Sequence, residues 1–321
     1  SITNMRKPPL VEAFFFDPIK SLESIALSRR IPIFEKKMNQ ITLLMYCSDQ
    51  KGIIAAVTNF IHQSQGNITY IDQYVDRPNA AFFMRVECDF NRDDFNFQGF
   101  KDQFHRNLGK RFSLYCNFYL KNQKPKMAVF VSKYDHCLYD ILAKQQSGEL
   151  SAEIPFILSN HPNLEIIAKR FDIPFYNIPV NKENKPEAEA KQLTLLKEHQ
   201  VDFIVLARYM QIISPTLIDQ YTNKIINIHH SFLPAFPGAK PYHSAFERGV
   251  KIIGATSHYV TDELDAGPII EQDIARVTHL NSIADFIEKG RDLERIVLLR
   301  ALKLHVNRKV MVYGNKTVVF S

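Results

Sequence analysis

From residue 41 onward the chain alternates short apolar runs with amphipathic stretches, and the order of these segments predicts two domains. Ile41 to Cys47 reads as a strand and Ile53 to Gln65 as a helix. Two strands follow, Asn67 to Val75 and Ala81 to Asp89, then a second helix, Asp93 to Asn107, and a last strand, Phe112 to Leu120. That βαββαβ order predicts a ferredoxin-like domain over residues 41–120, an antiparallel sheet of four strands with two helices on one face. The polar, proline-ended stretch Lys121-Asn122-Gln123-Lys124-Pro125 then interrupts the periodicity, so residues 121–126 read as a linker.

Residues 127–321 change character. Their strands are apolar nearly throughout, as in Ala128-Val129-Phe130-Val131 and Phe203-Ile204-Val205-Leu206, and they alternate with helical stretches at Cys137 to Gln146, Leu164 to Phe171 and Pro186 to His199. Strands apolar on both faces belong in a parallel sheet covered on both sides, which predicts a doubly wound, mostly parallel, Rossmann-like α/β domain. The pattern closes with a strand (Pro268 to Ile274), a long helix (Ala284 to Asn307) and a hairpin around Gly314-Asn315. Residues 1–40 carry no sustained period, only Pro8-Pro9, Phe14-Phe15-Phe16 and Arg29-Arg30, and read as an N-terminal extension. Phe14 to Phe16 are expected to dock on a domain or a neighbouring subunit.

Composition narrows the class. With 321 residues, 45% of them hydrophobic, the chain can bury two cores. The net charge of +6, from 40 basic and 34 acidic residues, is spread without long like-charge runs. That balance suits a small anionic ligand at least as well as a nucleic acid, and no nucleic-acid or membrane partner is expected. Cys47, Cys88, Cys116 and Cys137 are scattered, with no C-x-x-C pair, and no apolar leader or spanning stretch occurs. A reducing, cytoplasmic setting with buried thiols follows.

Candidate chemistry concentrates between Lys224 and Gln272. Asn227 and His229 stand at the exit of an apolar strand (Ile225, Ile226, Ile228), where alternation points both side chains the same way. If folding brings Asp265 to them, an amide donor, an imidazole and a carboxylate share one cleft, the equipment for attack on a formyl-type carbonyl. Taken singly, each has a plainer reading, since strand-end Asn and His often satisfy loop backbone and Asp265 before Ala266-Gly267-Pro268 suits a turn. The stiff loop Phe232 to Pro241, with Pro234, Pro237 and Pro241, favours the joint reading by offering a cover that loses little entropy on ordering. His229, His230, His243 and His258 also raise zinc, but adjacent histidines on an extended chain face opposite ways and no H-x-x-x-H spacing occurs, so no metal is expected.

These residues also carry a family resemblance. Asn227-Ile228-His229, Ser231-Phe232-Leu233-Pro234, Gly254-Ala255-Thr256-Ser257-His258 and Thr261 to Pro268 together resemble the 10-formyltetrahydrofolate-using formyltransferase family, and residues 41–321 as a whole look like its deformylase branch. The resemblance implies that Asn227, His229 and Asp265 are catalytic, that His258 supports them, and that a folate lies between Tyr209-Met210-Gln211-Ile212-Ile213 and a second wall at Val260, Thr261 and onward to Asp265. It implies that main-chain groups of the first wall hold the pterin, and that no cofactor is needed because the folate is the substrate. Tyr209 and Phe232 are candidates to stack on it, though aromatic residues in apolar segments are more often packing.

Hydrolysis and transfer separate at one stretch. A transferase acting on a phosphorylated amine such as glycinamide ribonucleotide carries a glycine-rich phosphate turn after the first strand of this domain, whereas this chain has Ser132-Lys133-Tyr134-Asp135-His136. Water is then the expected nucleophile, giving formate for purine synthesis and tetrahydrofolate; transfer to a small amine and a purely regulatory folate- or amino-acid-binding protein are the alternatives. Asp49-Gln50-Lys51-Gly52 and Gly66-Asn67-Ile68 resemble the ACT domain, which implies an amino-acid effector, methionine or glycine, near Asp49, Gly52, Asn67 and Ile68, and a homo-oligomer, dimer or tetramer.

Overall fold

The computed structural model describes residues 39–91, 94–235 and 241–321. The expectations for residues 1–38, including the docking of Phe14 to Phe16, lie outside the described residues, as does the loop from 236 to 240.

Strand β1 (Asn39–Ser48), helix α1 (Ile53–Gln63), β2 (Asn67–Asp76), β3 (Ala81–Phe90), helix α2 (Phe97–Phe104) and β4 (Tyr115–Leu120) build the first domain. Its sheet runs β2-β3-β1-β4, and the pairs are antiparallel, as the segment order predicts. Alternation along β1 explains its position. Ile41, Leu43, Met45 and Cys47 face Val57, Phe60 and Ile61 of α1 and Phe100 and Phe104 of α2, while Leu44 faces the other way with Phe83 of β3. The second helix starts later than its pattern suggests because the side chain of Asn96 caps it, accepting from the Gly99 amide at 2.9 Å. It continues through a π turn at His105–Gly109 and a helical turn at Lys110–Phe112, so β4 begins at Tyr115 rather than Phe112.

The second domain holds β5 (Met127–Val131), α3 (His136–Gln146), β6 (Ile157–Ser159), α4 (Glu165–Arg170), β7 (Phe175–Asn177), α5 (Lys185–Glu198), β8 (Phe203–Leu206), α6 (Pro215–Gln220), β9 (Ile225–His229), α7 (Pro241–Arg248), β10 (Ile252–Tyr259), β11 (Ile269–Arg276) and α8 (Ile283–Val306). Its seven strands lie in the order β11-β10-β9-β8-β5-β6-β7. From β7 to β9 neighbouring strands are parallel, and β10 and β11 add an antiparallel edge. Met127, Val129 and Val131 of β5 face one apolar cluster while Ala128 and Phe130 face another, which is why β5 reads as unbroken apolar sequence. Helix α8 opens with a capping box, in which Ser282 and Asp285 satisfy each other's backbone amides.

Both sheets belong to one packed unit. A last hairpin, β12 (Val310–Tyr313) and β13 (Lys316–Val319), joins them by setting Met311 and Phe320 against Leu44, Ala81 and Phe83 of the first domain. Buried Arg85 of β3 fastens the contact, donating from Nε to the Arg308 carbonyl at 2.8 Å and from a terminal nitrogen to the Asn307 carbonyl at 3.1 Å. Those carbonyls follow the carboxyl end of α8, where a cation is favoured.

Candidate active site

The strand order reverses between β8 and β5, and in open α/β sheets the crevice outside the carboxyl strand ends takes ligands. Here a cavity of about 410 Å³ opens at those ends and is lined by Asn227, His229, His258 and Asp265 together with Tyr209, Met210, Gln211, Ile213, Val260 and Thr261. The residues singled out in both walls are thus gathered in a single crevice. Arg208, Ile212, His230, Asp262 and Leu264 complete much of its lining.

Three chain segments position the polar groups. Asn227 and His229 project from β9, whose partner β10 places His258 opposite Asn227 and Thr256 opposite His229. Asp265 lies beyond β10 in a left-handed conformation with φ of 56°. That backbone is uncommon outside glycine and here aims a carboxylate at the strand ends. His229 Nδ1 lies 3.4 Å from Asp265 Oδ1, and His258 Nε2 lies 3.8 Å from the same oxygen. The other ring nitrogen of His229, Nε2, is buried without a partner among the described residues, an arrangement that costs energy unless a ligand supplies one.

Hydrogen bonding fixes the His258 ring. Its Nδ1 is 2.9 Å from the Tyr259 carbonyl, which can only accept, so Nδ1 carries the proton. Its Nε2 is then free to accept from the Asn227 side-chain amide at 3.2 Å. Burial lowers the His258 pKa below its ordinary 6.5 and keeps the ring neutral. Asp265 moves down from 3.8, chiefly through its hydrogen bond to His229, and remains a carboxylate.

Several expectations change in detail. Tyr209 lines the crevice, but it is buried, its ring meets Phe130 edge-on at 5.4 Å and its hydroxyl accepts from Gln192 at 3.1 Å. Packing holds it in place, as the plainer reading of an aromatic in an apolar segment has it. The Met210 amide donates to Ser132 Oγ at 2.9 Å, which removes one of the main-chain groups expected to face a pterin. Phe232 lies on a different cavity, beside Gly254 and Tyr242, and not on the crevice. His229 and His230 both line the crevice, with ring centroids 5.2 Å apart, because β9 ends at His229 and strand alternation stops there. Exposed Met210, Ile212 and Leu264 give the crevice apolar surface beside its polar end, as a flat, partly apolar ligand requires.

A second polar cluster supports the crevice and went unseen in the sequence. Glu294 of α8, 1% exposed, takes His136 Nε2 at 2.7 Å, the Tyr242 hydroxyl at 2.8 Å and Arg208 at 3.5 Å. His136, Cys137 and Glu294 lie close enough together to invite a metal ion. Glu294 is already engaged by these donors, burial holds the Cys137 thiol well above its usual range, and the adjacent Arg208 opposes a second cation. The cluster reads as a buried ion-pair network that seats Arg208 at the crevice wall.

In the first domain, Asp49 and Gly52 line a hollow of about 490 Å³ with Gln73 and Val75. Gly52 has φ of 90°, a left-handed position that glycine supplies at the start of α1. Asn67 and Ile68 do not line that hollow; they pair with Asp89 and Cys88 at the far end of β2.

Known proteins resemble this chain along most of its length. A formyl transferase family model matches residues 125–302, and an ACT domain model matches residues 41–95. The chain is 50% identical over 283 residues to a formyltetrahydrofolate deformylase of Synechocystis, an alignment covering 87% of this chain and 98% of that protein. It is 45% identical over 280 residues to one of Bacillus subtilis, covering 87% and 93%. A solved formyltetrahydrofolate deformylase from Pseudomonas syringae superposes with a TM-score of 0.85 at 42% identity, over 94% of this chain and 99% of that one. An ACT domain followed by a formyl transferase domain, matched along nearly the full length of such relatives, places the chain in the formyltetrahydrofolate deformylase family.

Proposed function

We propose that this chain hydrolyses 10-formyltetrahydrofolate to formate and tetrahydrofolate, in the crevice where Asn227, His229 and Asp265 converge. The observation that carries the reading is the buried Nε2 of His229, without a partner among the described residues, on a ring that faces Asp265 on its other side. With Nδ1 turned to that carboxylate, the ring presents Nε2 to the formyl oxygen. The Asn227 amide, steadied by His258, supplies a second donor. Water attacks the formyl carbon, and Asp265 accepts its proton. The tetrahedral intermediate collapses by breaking the bond to N10, which takes up the proton held by Asp265 and leaves as tetrahydrofolate, and formic acid departs and ionises to formate.

Water as nucleophile is supported at the segment that follows β5. In place of a glycine-rich turn, the Tyr134 ring lies 4.8 Å beneath the Arg208 guanidinium and 5.9 Å from that of Arg291, and His136 is tied to Glu294. These side chains fill the place where a phosphorylated amine would need open backbone amides. Incubating the protein with 10-formyltetrahydrofolate alone tests the reading: formate release without an acceptor is expected, and turnover only when an amine is added rejects hydrolysis.

The ACT domain supports regulation by a small amino acid, with methionine and glycine the first to test, and assembly into a dimer or tetramer. Exposed Ile71 and Tyr74 on edge strand β2 favour pairing with another copy. Light scattering that shows only monomer rejects the assembly. A cytoplasmic setting, with formate passing to purine synthesis, fits four buried, unpaired cysteines; among the described residues no helix is long and apolar enough to cross a membrane.

A further inference from the structure

A second cavity, of about 600 Å³, lies where the ACT domain meets the base of the catalytic sheet. Its size falls within the roughly 300–1,000 Å³ typical of small-molecule sites. Tyr46, Asn117 and Tyr119 form its wall on the ACT side, from the face of the sheet that carries no helices. The opposing wall is the entry to β9 at Lys224, the end of β10 at Tyr259, and His305 and Arg308 at the end of α8. It therefore sits at the end of β9 opposite the catalytic crevice, and it is separate from the hollow at the turn between β1 and α1.

The lining is basic in a way that packing does not require. Neither Arg308 nor Lys224 has an acidic partner among the described residues. The Arg308 guanidinium lies 4.2 Å over the Tyr119 ring, a contact that holds it in place while leaving its N–H donors without an acceptor among the described residues. Its backbone is pinned as well, since the Arg308 carbonyl accepts from Arg85. His305 adds no charge, because burial, with Arg308 and Lys224 beside it, pushes its pKa down to about 3. Asp202 on the same lining supplies the one negative charge among the described residues, with one oxygen already accepting from the Lys126 amide at 2.8 Å.

A preset arginine fork and an ammonium are the usual means of holding a carboxylate. The nearby Asp202 disfavours a doubly charged anion and suits an ammonium group on the ligand. We propose that this interdomain cavity is a binding site for a small organic carboxylate, singly charged or zwitterionic, gripped by Arg308 and Lys224. An occupant there would touch Tyr259, whose hydroxyl is 2.8 Å from His305 Nδ1 and whose carbonyl holds the His258 proton in the crevice. Occupancy and catalytic geometry thus meet in one residue.

Isothermal titration of the full chain with glycine, L-methionine, acetate and succinate reads the site directly. At least one of these is expected to bind once per protomer, and Arg308→Gln and Lys224→Gln are each expected to weaken it by about tenfold or more. Lys224 is exposed, so its replacement keeps the test valid if the Arg308 variant folds poorly. Asp49→Ala, in the other hollow, removes whatever glycine or L-methionine binds there and is expected to leave in place the binding that the Arg308 and Lys224 variants weaken. The proposal is overturned if none of the four binds, if the Lys224 variant binds all of them as tightly as the parent, or if Asp49→Ala abolishes the binding of every one. The titration measures no turnover, so its outcome stands apart from that of the hydrolysis assay.

Discussion

Asn227 and His258 face each other across β9 and β10, and the Asn227 side-chain nitrogen lies 3.2 Å from His258 Nε2. The contact works only while that nitrogen is unprotonated. Because the folded pKa of His258 lies below 6.5, the neutral ring persists as pH falls through 6.5, and the contact is lost only on reaching the depressed value. The linked stability follows the same sign, fully present above 6.5 and lost as pH falls through the folded pKa. Since Asp265 is also shifted down, kcat/KM is expected to stay level from pH 8 to 6.5 and to fall below that. An acid limb centred at or above 6.5 in a pH–rate profile contradicts this.

Asp265 is assigned the proton of the attacking water. Asp265→Asn keeps the shape and removes the base, so formate release is expected to drop by about 10²-fold or more, in line with the usual contribution of a positioned general base. Folate affinity, read by fluorescence titration, is expected to change little. Turnover at the parent rate removes Asp265 from the mechanism.

Gly267 sets the path of the Asp265 turn. A Cβ at this position would sit 1.8 Å from the Tyr259 carbonyl oxygen, which is backbone and cannot swing away. Gly267→Ala is therefore expected to destabilise the fold by about 2–4 kcal/mol and to displace Asp265, lowering activity as well. Denaturant unfolding and a formate assay check both effects. Parent-like stability contradicts the close approach.

Glu294 has one charge-bearing role, to balance buried Arg208. Glu294→Gln leaves that guanidinium uncompensated and is expected to cost about 3–5 kcal/mol in unfolding experiments. Glu294→Asp, which keeps the charge, is expected to cost less. Equal losses in the two variants would show that volume rather than charge matters at this position.

The legible part of the site was the part carried by local rules. Asn227 and His229 follow from strand alternation at the end of Ile225-Ile226, and the crevice follows from apolar parallel strands that end there. Strand β10 did not announce itself, because Gly254, Ala255, Thr256 and Ser257 are small or polar. All four are buried all the same, and Thr256 meets its polar need by donating to the Ser231 carbonyl at 2.9 Å. Glu294 hides within the apolar stripe of a long helix, where only its position between Leu293 and Val297 signals a buried charge. Asp265-Ala266-Gly267-Pro268 signals a turn, but not that Asp265 itself is left-handed, a path fixed by the close approach of Gly267 to Tyr259. The His136, Arg208 and Tyr242 partners of Glu294 come from three distant segments, and only tertiary packing joins them.

The most direct measurement is a single turnover of 10-formyltetrahydrofolate in oxygen-18 water with no amine present. Attack by water at the crevice predicts formate carrying one solvent oxygen, formed together with an equal amount of tetrahydrofolate. Consumption of the folate without labelled formate would contradict the account.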